Sequence, residues 1–473
     1  MKTQKIYTGG KFVETKSEIT VYCSYDNKPV AKTFLAGKEE IEYAIEQGLK
    51  AEIELKNMPV YKRSEILSAI ARMLQRNKQG FSETIALEAC KPYKYALGET
   101  ERAITCFQIA AEEVKRLPRE YISLDWTAAG ENKEGFVKYF PVGLIAGISP
   151  FNFPLNLAVH KIAPAIASGN PIILKPSRST PLSTLLLAEI IDKTDLPKGA
   201  VSILPTDRKL GNILVTDERI KKLTFTGSAE VGWQMKSQCG KKKITLELGG
   251  NAGVIVSDTA DINQAVKKCV TGAFAYSGQV CIHTQRIYVH EKVFDNFTQK
   301  FVSITKSLKH GHPLDKKTDI SSMIDEENAI RVDNWITEAV NGGAKILCGG
   351  KRNNTYFEPT VLTNTKNDMK VCSLEIFGPV AVIEKYSDFS EAINMINDSD
   401  FGLQASVFTN SLSEMNKAYN EIETGGVIIN DVPTFRVDHM PYGGVKNSGY
   451  GREGIKYAIM EMTEPKLLVK PIL

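Results

Sequence analysis

The segment GQVCIHTQR, residues 278–286, contains Cys281, a residue type that can attack a carbonyl carbon. An ordinary thiol, with a pKa of about 8.5, is only a few per cent thiolate at neutral pH, so this chemistry needs helping groups. Asn152 in SPFNFP has a side-chain amide that can donate to the oxyanion formed by the attack. Glu247 in LELGG has a carboxylate that can activate water. Each residue alone is more often structural, and a cysteine between apolar residues is equally typical of a core.

Two further segments are typical of nucleotide binding. KKLTFTGSAEVG predicts a strand that leads into Gly227 and Ser228 and then a helix whose free N–H groups can face a pyrophosphate. IILKPSRSTP ends a predicted strand at Lys175, which can bond ribose hydroxyls. An N-capped helix and a solvated lysine remain the simpler alternatives. GYGREG, residues 449–454, matches GxGxxG by its letters, but it follows no clear strand and lies too near the chain end for a βαβ unit.

The elements that must position these groups form an α/β pattern. From Glu39 to Lys115 the apolar spacing is helical, and short apolar runs then alternate with helical patterns, which predicts a parallel sheet. The strand candidates of this series are GLIAGI, PIILK, VSIL, KLTF and ITLELGG. A second series, QRIYVH, AKILCGG, AVIEKY and GVIIND, begins after a domain boundary placed near Gly249. The chain ends in a predicted short helix and a strand without an obvious partner.

Composition excludes several function classes. The chain has 473 residues, which indicates two or three substructures, and its formal net charge is only +4, without a dense basic stripe. We therefore expect no nucleic-acid partner. No apolar run is long enough to span a membrane, and the N-terminus lacks the apolar segment of a secretory signal. The eight cysteines have no metal-ligand spacing, so we expect a cytoplasmic protein without a metal site.

The order of these segments resembles that of the NAD(P)-dependent aldehyde dehydrogenase superfamily. The matching stretches are SPFNFP, LKPS, FTGSAEVG, LELGGN, SGQVCIHTQR, EIFGPV and MPYGGVKNSGYGREG, and they cover essentially the whole chain. The resemblance implies a Rossmann-like cofactor-binding domain, an α/β catalytic domain and a small β oligomerisation element. It also implies oxidation of an aldehyde to the carboxylic acid.

The resemblance gives each catalytic residue a role. Cys281 is similar to the nucleophile that forms a thiohemiacetal and then a thioester, and Asn152 with the Cys281 N–H is similar to the oxyanion hole. Glu247 matches the base that activates water for thioester hydrolysis, and its presence disfavours transfer of the acyl group to coenzyme A. Lys161 and Glu453 match a pair associated with proton exit. The predicted cofactor contacts are Ser149, Pro150, Phe151, Lys175, Ser177, Arg178, Gly227, Ser228, Glu375 and Phe377.

The same resemblance divides the chain into three parts. Residues 1–117 and 140–248 are expected to form the cofactor-binding domain, and residues 249–446 the catalytic domain. Residues 118–139 and 447–473 are expected to form the oligomerisation element and the C-terminal tail. A homodimer or homotetramer follows from this expectation.

Departures from the family pattern bear on cofactor and substrate. Many NAD-preferring relatives have glutamate where this chain has Arg178, and a guanidinium attracts the 2′-phosphate that a carboxylate repels. We therefore expect NAD(P)+ with a slight preference for NADP+, although an arginine directed to solvent is the alternative. His160, with Arg102 and Arg436, suggests a small polar or anionic aldehyde, as in the lactaldehyde, phosphonoacetaldehyde and semialdehyde branch. Structural ion pairs are the alternative for the two arginines.

A rival hypothesis assigns the thiol to a different enzyme class. A strand through residues 281–283 would place His283 on the same side as Cys281, as in a cofactor-independent cysteine hydrolase. Such an esterase or thioesterase would turn over esters without a cofactor. The resemblance instead implies that His283 lies behind the reacting groups.

Overall fold

The computed structural model describes residues 2–472, so that Met1 and Leu473, the outermost residues of two predicted segments, lie outside the described residues. Its helices are α1 Lys38–Asn57, α2 Val60–Arg76, α3 Lys78–Glu88, α4 Tyr93–Glu113, α5 Pro154–Ser168, α6 Leu182–Ile191, α7 Arg208–Thr216, α8 Ala229–Gln238, α9 Ile262–Phe274, α10 Glu291–Lys306, α11 Glu326–Asn341, α12 Lys370–Ser373, α13 Phe389–Asn397, α14 Leu412–Glu421 and α15 Ile455–Glu461. The predicted helical region between Glu39 and Lys115 is confirmed as α1 to α4.

The strands of the described residues include every candidate from the sequence. They are β1 Ile6–Thr8, β2 Lys11–Val13, β3 Glu18–Cys23, β4 Lys28–Phe34, β5 Arg119–Ser123, β6 Lys133–Pro141, β7 Ile145–Ile148, β8 Ile172–Lys175, β9 Val201–Ile203, β10 Lys222–Thr226, β11 Lys243–Glu247, β12 Gly253–Val256, β13 Arg286–His290, β14 Lys345–Cys348, β15 Arg352–Asn353, β16 Tyr356–Phe357, β17 Thr360–Thr363, β18 Val380–Tyr386, β19 Phe401–Gly402, β20 Gln404–Phe408, β21 Gly426–Ile429, β22 Val445–Lys446, β23 Gly449–Tyr450 and β24 Thr463–Pro471.

The first large sheet has the strand order β2-β1-β9-β8-β7-β10-β11-β23. Its five central strands are parallel, as the alternating pattern predicts, and their buried residues are almost all apolar or Thr. The chain leaves β7 toward β8 and β9 on one side and reaches β10 and β11 on the other. The strand order therefore reverses beside β7, where open α/β sheets bind ligands at the carboxyl ends of their strands.

The second large sheet has the order β14-β17-β18-β13-β12-β20-β21 and is parallel except for β14. The predicted boundary near Gly249 lies in the loop between β11 and β12, which belong to different sheets. Cys281 and Glu375 precede β13 and β18, so both lie at the amino ends of strands of this sheet.

Helix α5 lies at the centre of the first half of the chain, and all 15 of its residues are buried. A helix that is mostly apolar all round is expected inside a core rather than on a surface, and the polar residues of this one, among them His160 and Lys161, are buried with it. Pro154 opens the helix at its first turn, and Gly169 ends it in the left-handed conformation, with φ of 84°. Asn152 is therefore held between the rigid end of β7 and the start of a buried helix.

The C-terminal strand β24 pairs antiparallel with β6, which also pairs with β5, in a separate three-stranded sheet. The predicted segment 447–473 is therefore divided: β23 belongs to the first large sheet, α15 packs on α4 and α5, and only β24 joins the small sheet. Within the described residues, no helix is long and apolar enough to cross a membrane.

Candidate active site

A cavity of about 950 Å³ lies where the carboxyl ends of the first sheet's strands meet the amino ends of the second sheet's strands. Of the residues predicted from the sequence, it is lined by Arg102, Pro150, Phe151, Asn152, Gly227, Ser228, Glu247, Cys281, Glu375, Phe377, Arg436 and Glu453. These residues come from distant parts of the chain, yet they share one cavity. The remaining predicted residues, Ser149, His160, Lys161, Lys175, Ser177 and Arg178, lie outside this lining.

Cys281 lies in a loop held in an unusual backbone conformation. Tyr276, Ser277 and Gly278 all have positive φ, and a Cβ at position 278 would lie 2.0 Å from the carbonyl oxygen of Gly378. The Cys281 Sγ is 3.3 Å from the Tyr442 hydroxyl. Burial raises the pKa of the thiol to about 11, although the hydrogen bond from Tyr442 acts in the opposite direction.

Asn152 is buried beside this loop, and its side chain has spare hydrogen-bonding capacity. Its Nδ2 donates to the carbonyl oxygen of Gln279 at 3.0 Å, whereas its Oδ1 has no partner. Its own carbonyl oxygen accepts a bond from Lys91 Nζ at 2.5 Å, and Lys91 also pairs with Glu99 at 2.5 Å. The second Nδ2 proton is therefore available to an oxygen in the cavity.

Glu247 ends β11, and both of its carboxylate oxygens are buried without a hydrogen-bond partner. Burial raises the pKa of this carboxyl well above its usual range, and the negative charge of Glu453 adds to the rise. A carboxylate with a raised pKa is a stronger proton acceptor, which suits the activation of water.

Lys161 and Glu453 form a buried ion pair behind Glu247. The Lys161 Nζ is 3.0 Å from Glu453 Oε1 and also bonds Thr226 Oγ1 at 2.7 Å. Burial acts to raise the pKa of Glu453, but Lys161, His160 and Arg436 together lower it to about 2. Glu453 lines the cavity and Lys161 does not, so the pair connects the cavity to the interior around α5.

Of the three residues predicted to contact the substrate, two line the cavity and one lies behind its wall. Arg102 and Arg436 line the cavity, and the Arg436 Nε is buried without a hydrogen-bond partner. Arg102 bonds both oxygens of Asp438, at 2.6 and 3.2 Å. The structure corrects the prediction that His160 contacts the substrate, because His160 is buried behind the cavity wall. Its Nε2 lies 2.8 Å from Asp438, and it reaches Arg102 only through that carboxylate. Since α5 is buried all round, the face that carries His160 packs on Cys106 of α4 instead.

The other end of the cavity contains Glu375 and the aromatic pair Phe151 and Phe377, whose ring centroids are 5.8 Å apart. Glu375 Oε1 accepts a bond from the Gly250 N–H at 3.0 Å. A Cβ at position 249 would lie 2.3 Å from Glu375 Oε2, so the glycine leaves the room that this carboxylate needs. Burial raises the pKa of Glu375 to about 7.

A basic cluster lies at the carboxyl end of β8. Lys175 is half-buried there, and burial together with Arg178 and Arg208 lowers its pKa to about 8. Arg208 is the first residue of α7 and lines the cavity, so the basic cluster adjoins the cavity. Arg178 is exposed, and the Oγ atoms of Ser177 and Ser179 are 3.0 Å apart. Ser149 follows β7, where its N–H bonds the carbonyl oxygen of Lys175 at 3.1 Å.

His283 does not supply the base that a cysteine hydrolase needs. It is buried, it lies outside the cavity lining, and residues 281–285 form no strand. Burial lowers the pKa of His283 to about 4. The Cys281 thiol contacts the Tyr442 hydroxyl, not an imidazole.

Sequence reasoning missed several residues that the structure brings to the site. Tyr442 belongs to the stretch MPYGGVKNSGYGREG, but the sequence of that stretch does not predict a contact with the Cys281 thiol. Lys91 and Glu99 lie on either side of the start of α4, where a buried ion pair could not be foreseen from helical spacing. Arg208 follows a short strand, as nucleotide-binding residues often do, and that position was the available signal.

Comparison with known proteins finds similarity to aldehyde dehydrogenases along nearly the whole chain. The model described as the aldehyde dehydrogenase family matches residues 12–468. A 3-sulfolactaldehyde dehydrogenase of Priestia aryabhattai is 43% identical over 471 residues, which cover 99% of this chain and 98% of that protein.

Two solved structures superpose over nearly all of both chains. Aldehyde dehydrogenase 21 from Physcomitrella patens, in complex with the reaction product succinate, has a TM-score of 0.98 and 43% identity, covering 100% of this chain and 99% of its own. The glyceraldehyde-3-phosphate dehydrogenase of Methanocaldococcus jannaschii, complexed with NADP, has a TM-score of 0.93 and 39% identity, covering 97% of this chain and 100% of its own.

Proposed function

The chain belongs to the aldehyde dehydrogenase family, and we therefore propose that it oxidises a small polar or anionic aldehyde with NAD(P)+ and water, giving the carboxylic acid, NAD(P)H and a proton. The observation that carries the proposal is the single cavity that Cys281, Asn152, Glu247 and Glu375 share. A nucleophile, an amide donor, a partnerless carboxylate and a pocket for a ribose are what this reaction requires.

Each residue has a step in this reaction. The Cys281 sulfur attacks the carbonyl carbon, and the Asn152 Nδ2 and the Cys281 N–H donate to the resulting oxyanion. When the carbonyl re-forms, the carbon loses its hydrogen as hydride and the sulfur retains the acyl group as a thioester. Glu247 takes a proton from water as the water oxygen attacks that thioester, the C–S bond breaks, and the acid leaves. Glu453 raises the pKa of Glu247 and Lys161 lowers it, so we assign this ion pair to setting the charge of Glu247 along the path by which its proton leaves.

The residues at the far end of the cavity fit a dinucleotide. Bound NAD(P)+ supplies the acceptor for the hydride. Glu375 presents a carboxylate to ribose hydroxyls in the room left by Gly249, and Phe377 bounds the same region. Gly227 and Ser228 precede the amino end of α8, whose N–H groups can face phosphate oxygens.

The substrate end of the cavity favours a polar or negatively charged aldehyde. Arg102 and Arg436 both line it, and the unpartnered Nε of Arg436 is a buried donor without an acceptor in the protein. One similar protein is named for the oxidation of 3-sulfolactaldehyde, and another was solved with its reaction product succinate. Both compounds carry an anionic group. Sulfolactaldehyde, lactaldehyde and succinate semialdehyde are therefore the proposed substrate types.

A panel of initial rates tests this substrate class. Lactaldehyde, 3-sulfolactaldehyde, succinate semialdehyde, glyceraldehyde 3-phosphate, phosphonoacetaldehyde and a long alkanal are compared with NAD+ and with NADP+ at 340 nm. We expect the small polar or anionic aldehydes to give the highest kcat/KM. A clear preference for the alkanal would contradict the proposed role of the two arginines.

Arg178 supports a slight preference for NADP+, because its guanidinium lies with Lys175 and Arg208 at the adenosine end and can pair with a 2′-phosphate. We expect Arg178→Ala to lower kcat/KM for NADP+ by about 10- to 100-fold, as loss of a charged hydrogen bond predicts. The value for NAD+ should change less than about threefold. Lys193→Ala, which removes an exposed positive charge at the end of α6, is the matched control. Equal losses with both cofactors would argue against a phosphate contact.

The raised pKa of Glu375 predicts a pH dependence of cofactor binding. Above pH 7 the group is a carboxylate that accepts bonds from ribose hydroxyls, and below pH 7 it is a neutral acid with less accepting capacity. Affinity should therefore rise with pH, by up to about tenfold between pH 6 and pH 8. The measurement is the Kd of NAD+, which lacks the titratable 2′-phosphate, by protein fluorescence. Glu375→Gln should bind more weakly at pH 8 and lose the pH dependence.

The three-stranded sheet supports the proposal of a homodimer or homotetramer. The side chains of β24 are mostly exposed. Leu468 and its cross-strand neighbours Phe136 and Tyr121 form an exposed apolar patch on one face of the sheet, and Leu467 and Val469 lie on the opposite face. Such an apolar patch is typical of a protein interface. Sedimentation of the wild type and of Leu468→Lys would test it, and we expect the variant to dissociate. A monomeric wild type would contradict the proposal.

A cytoplasmic location is also proposed. All eight cysteines are free thiols, and seven of them are buried. This pattern is typical of reducing compartments. Fractionation of cells that produce the protein tests the location.

A further inference from the structure

The strongest feature that the mechanism leaves unused is the tyrosine beside the nucleophile. Tyr442 is 4% exposed, and its hydroxyl is 3.3 Å from Cys281 Sγ. Its backbone is fixed because its N–H donates to the carbonyl oxygen of Glu453 at 3.0 Å, and the Glu453 N–H donates back at 2.6 Å. The guanidinium of Arg436 lies 3.6 Å from the centre of the Tyr442 ring. Ring and backbone are thus both held, and the hydroxyl is directed at the sulfur.

The chemistry of the two groups determines which one donates. Burial raises the pKa of Tyr442 well above its usual range, so the phenol keeps its proton. A thiolate has no proton to donate, so it can only accept, and a donor to a charged acceptor makes a strong hydrogen bond. Burial opposes the ionisation of the sulfur, and the negative charges of Glu375 and Glu247 add to this effect. The positive charge of Arg436 and the hydrogen bond from Tyr442 favour the thiolate, and Tyr442 makes the direct contact with the sulfur.

We propose that the Tyr442 hydroxyl is a catalytic hydrogen-bond donor that stabilises the Cys281 thiolate and releases the sulfur when the C–S bond forms. The inference rests on the proposed role of Cys281 as nucleophile. The thiol proton leaves to water, the sulfur electron pair forms the bond to the carbonyl carbon, and the phenol neither gives nor gains a proton. Once the sulfur is bonded to carbon it is a poor acceptor, so the hydroxyl is free to bond another oxygen in the cavity.

The test is the pH dependence of Cys281 alkylation by iodoacetamide in the full-length enzyme, followed on the peptide that contains this cysteine by mass spectrometry. Tyr442→Phe removes the hydroxyl and leaves the ring under Arg436. We expect the pKa of Cys281 to rise by about one unit, which is tenfold less thiolate at neutral pH. Thiolate nucleophilicity rises with pKa, so alkylation should be about threefold slower at pH 7, and the whole curve should be displaced to higher pH by about one unit.

The displacement of the alkylation curve along the pH axis separates this role from a packing role. A variant that only loosened the site would change the rate by the same factor at every pH and leave the pKa of Cys281 unchanged. Tyr95→Phe is the matched control, because Tyr95 lines the same cavity but the hydroxyl that bonds Cys281 Sγ is that of Tyr442, so the alkylation curve of this variant should equal the wild-type curve. The kcat/KM for aldehyde in Tyr442→Phe should fall by about three- to tenfold at pH 7.

Two further measurements keep the inference open to refutation. If Tyr442→Phe is unstable, 3-fluorotyrosine in place of Tyr442 supplies a more acidic donor, and the pKa of Cys281 should then fall below the wild-type value. An unchanged alkylation curve in Tyr442→Phe overturns the inference, provided that Cys281→Ala is inactive. If Cys281→Ala is fully active, the proposed function itself fails, which is a different result.

Discussion

Replacement of Cys281 by alanine is expected to abolish the reduction of NAD(P)+ by aldehyde, with kcat falling by about 10⁴-fold or more, as loss of a covalent nucleophile does in other enzymes. No thioester can form without the sulfur. Among the described residues Cys281 is the only cysteine that lines the cavity, so no other thiol can replace it. The measurement is absorbance at 340 nm with saturating aldehyde and cofactor.

The matched control for this experiment is Cys269→Ala. Cys269 is buried in α9 and lies outside the cavity lining, so its replacement should cost some stability and leave the rate intact. Thermal melting of both variants shows whether they fold. A folded Cys281→Ala protein with undiminished turnover would contradict the proposed nucleophile.

Replacement of Glu247 by glutamine is the second variant with a large expected effect. The first half of the reaction needs Cys281 and Asn152, whereas the attack of water on the thioester needs a base. We therefore expect a rapid burst of about one equivalent of reduced cofactor per active site, followed by turnover that is about 10²- to 10⁴-fold slower than in the wild type. Stopped-flow absorbance resolves the burst from the steady state.

The buried position of Glu247 makes the choice of control important. Glu189→Gln makes the same chemical change on α6, away from the cavity lining, and it should show wild-type kinetics. Loss of the burst together with the steady state in Glu247→Gln would show that this carboxylate acts before the thioester forms. The assignment of Glu247 to hydrolysis would then be wrong.

The parallel sheets could be predicted because their strands are short, apolar and separated by helical patterns. The strands β12, β17 and β20 of the second sheet were not among the predicted strands. The strands β1 to β4 were also not predicted, and the reason is their composition. β1 and β2 have three residues each and are joined by Gly9 and Gly10, while β3 and β4 mix polar and apolar residues at the edge of the fold. Their pairing depends on contacts with distant segments, such as Tyr7 with Ile203, which no local pattern records.

The candidate site was predictable where a residue ends a strand, because parallel strands bring their carboxyl ends to one edge. Asn152, Lys175 and Glu247 were placed in this way. The contact between Tyr442 and Cys281 joins positions 161 residues apart, so it depends on how the second sheet closes over the first. The burial of His160 behind the cavity wall was also not predictable, because α5 is buried on every side and its sequence does not show which face meets the cavity.

Strand β23 has a consequence for how the two large sheets can move. It follows the second sheet in the chain, yet it pairs with β11 of the first through Leu246 with Tyr450 and Glu247 with Gly449. The second half of the chain is thus tied to the first sheet by backbone hydrogen bonds at Glu247. A rotation that widened the cavity and kept these hydrogen bonds would have its axis close to this joint, so displacement would grow with distance from it. The end of the cavity farthest from Glu247 would open first.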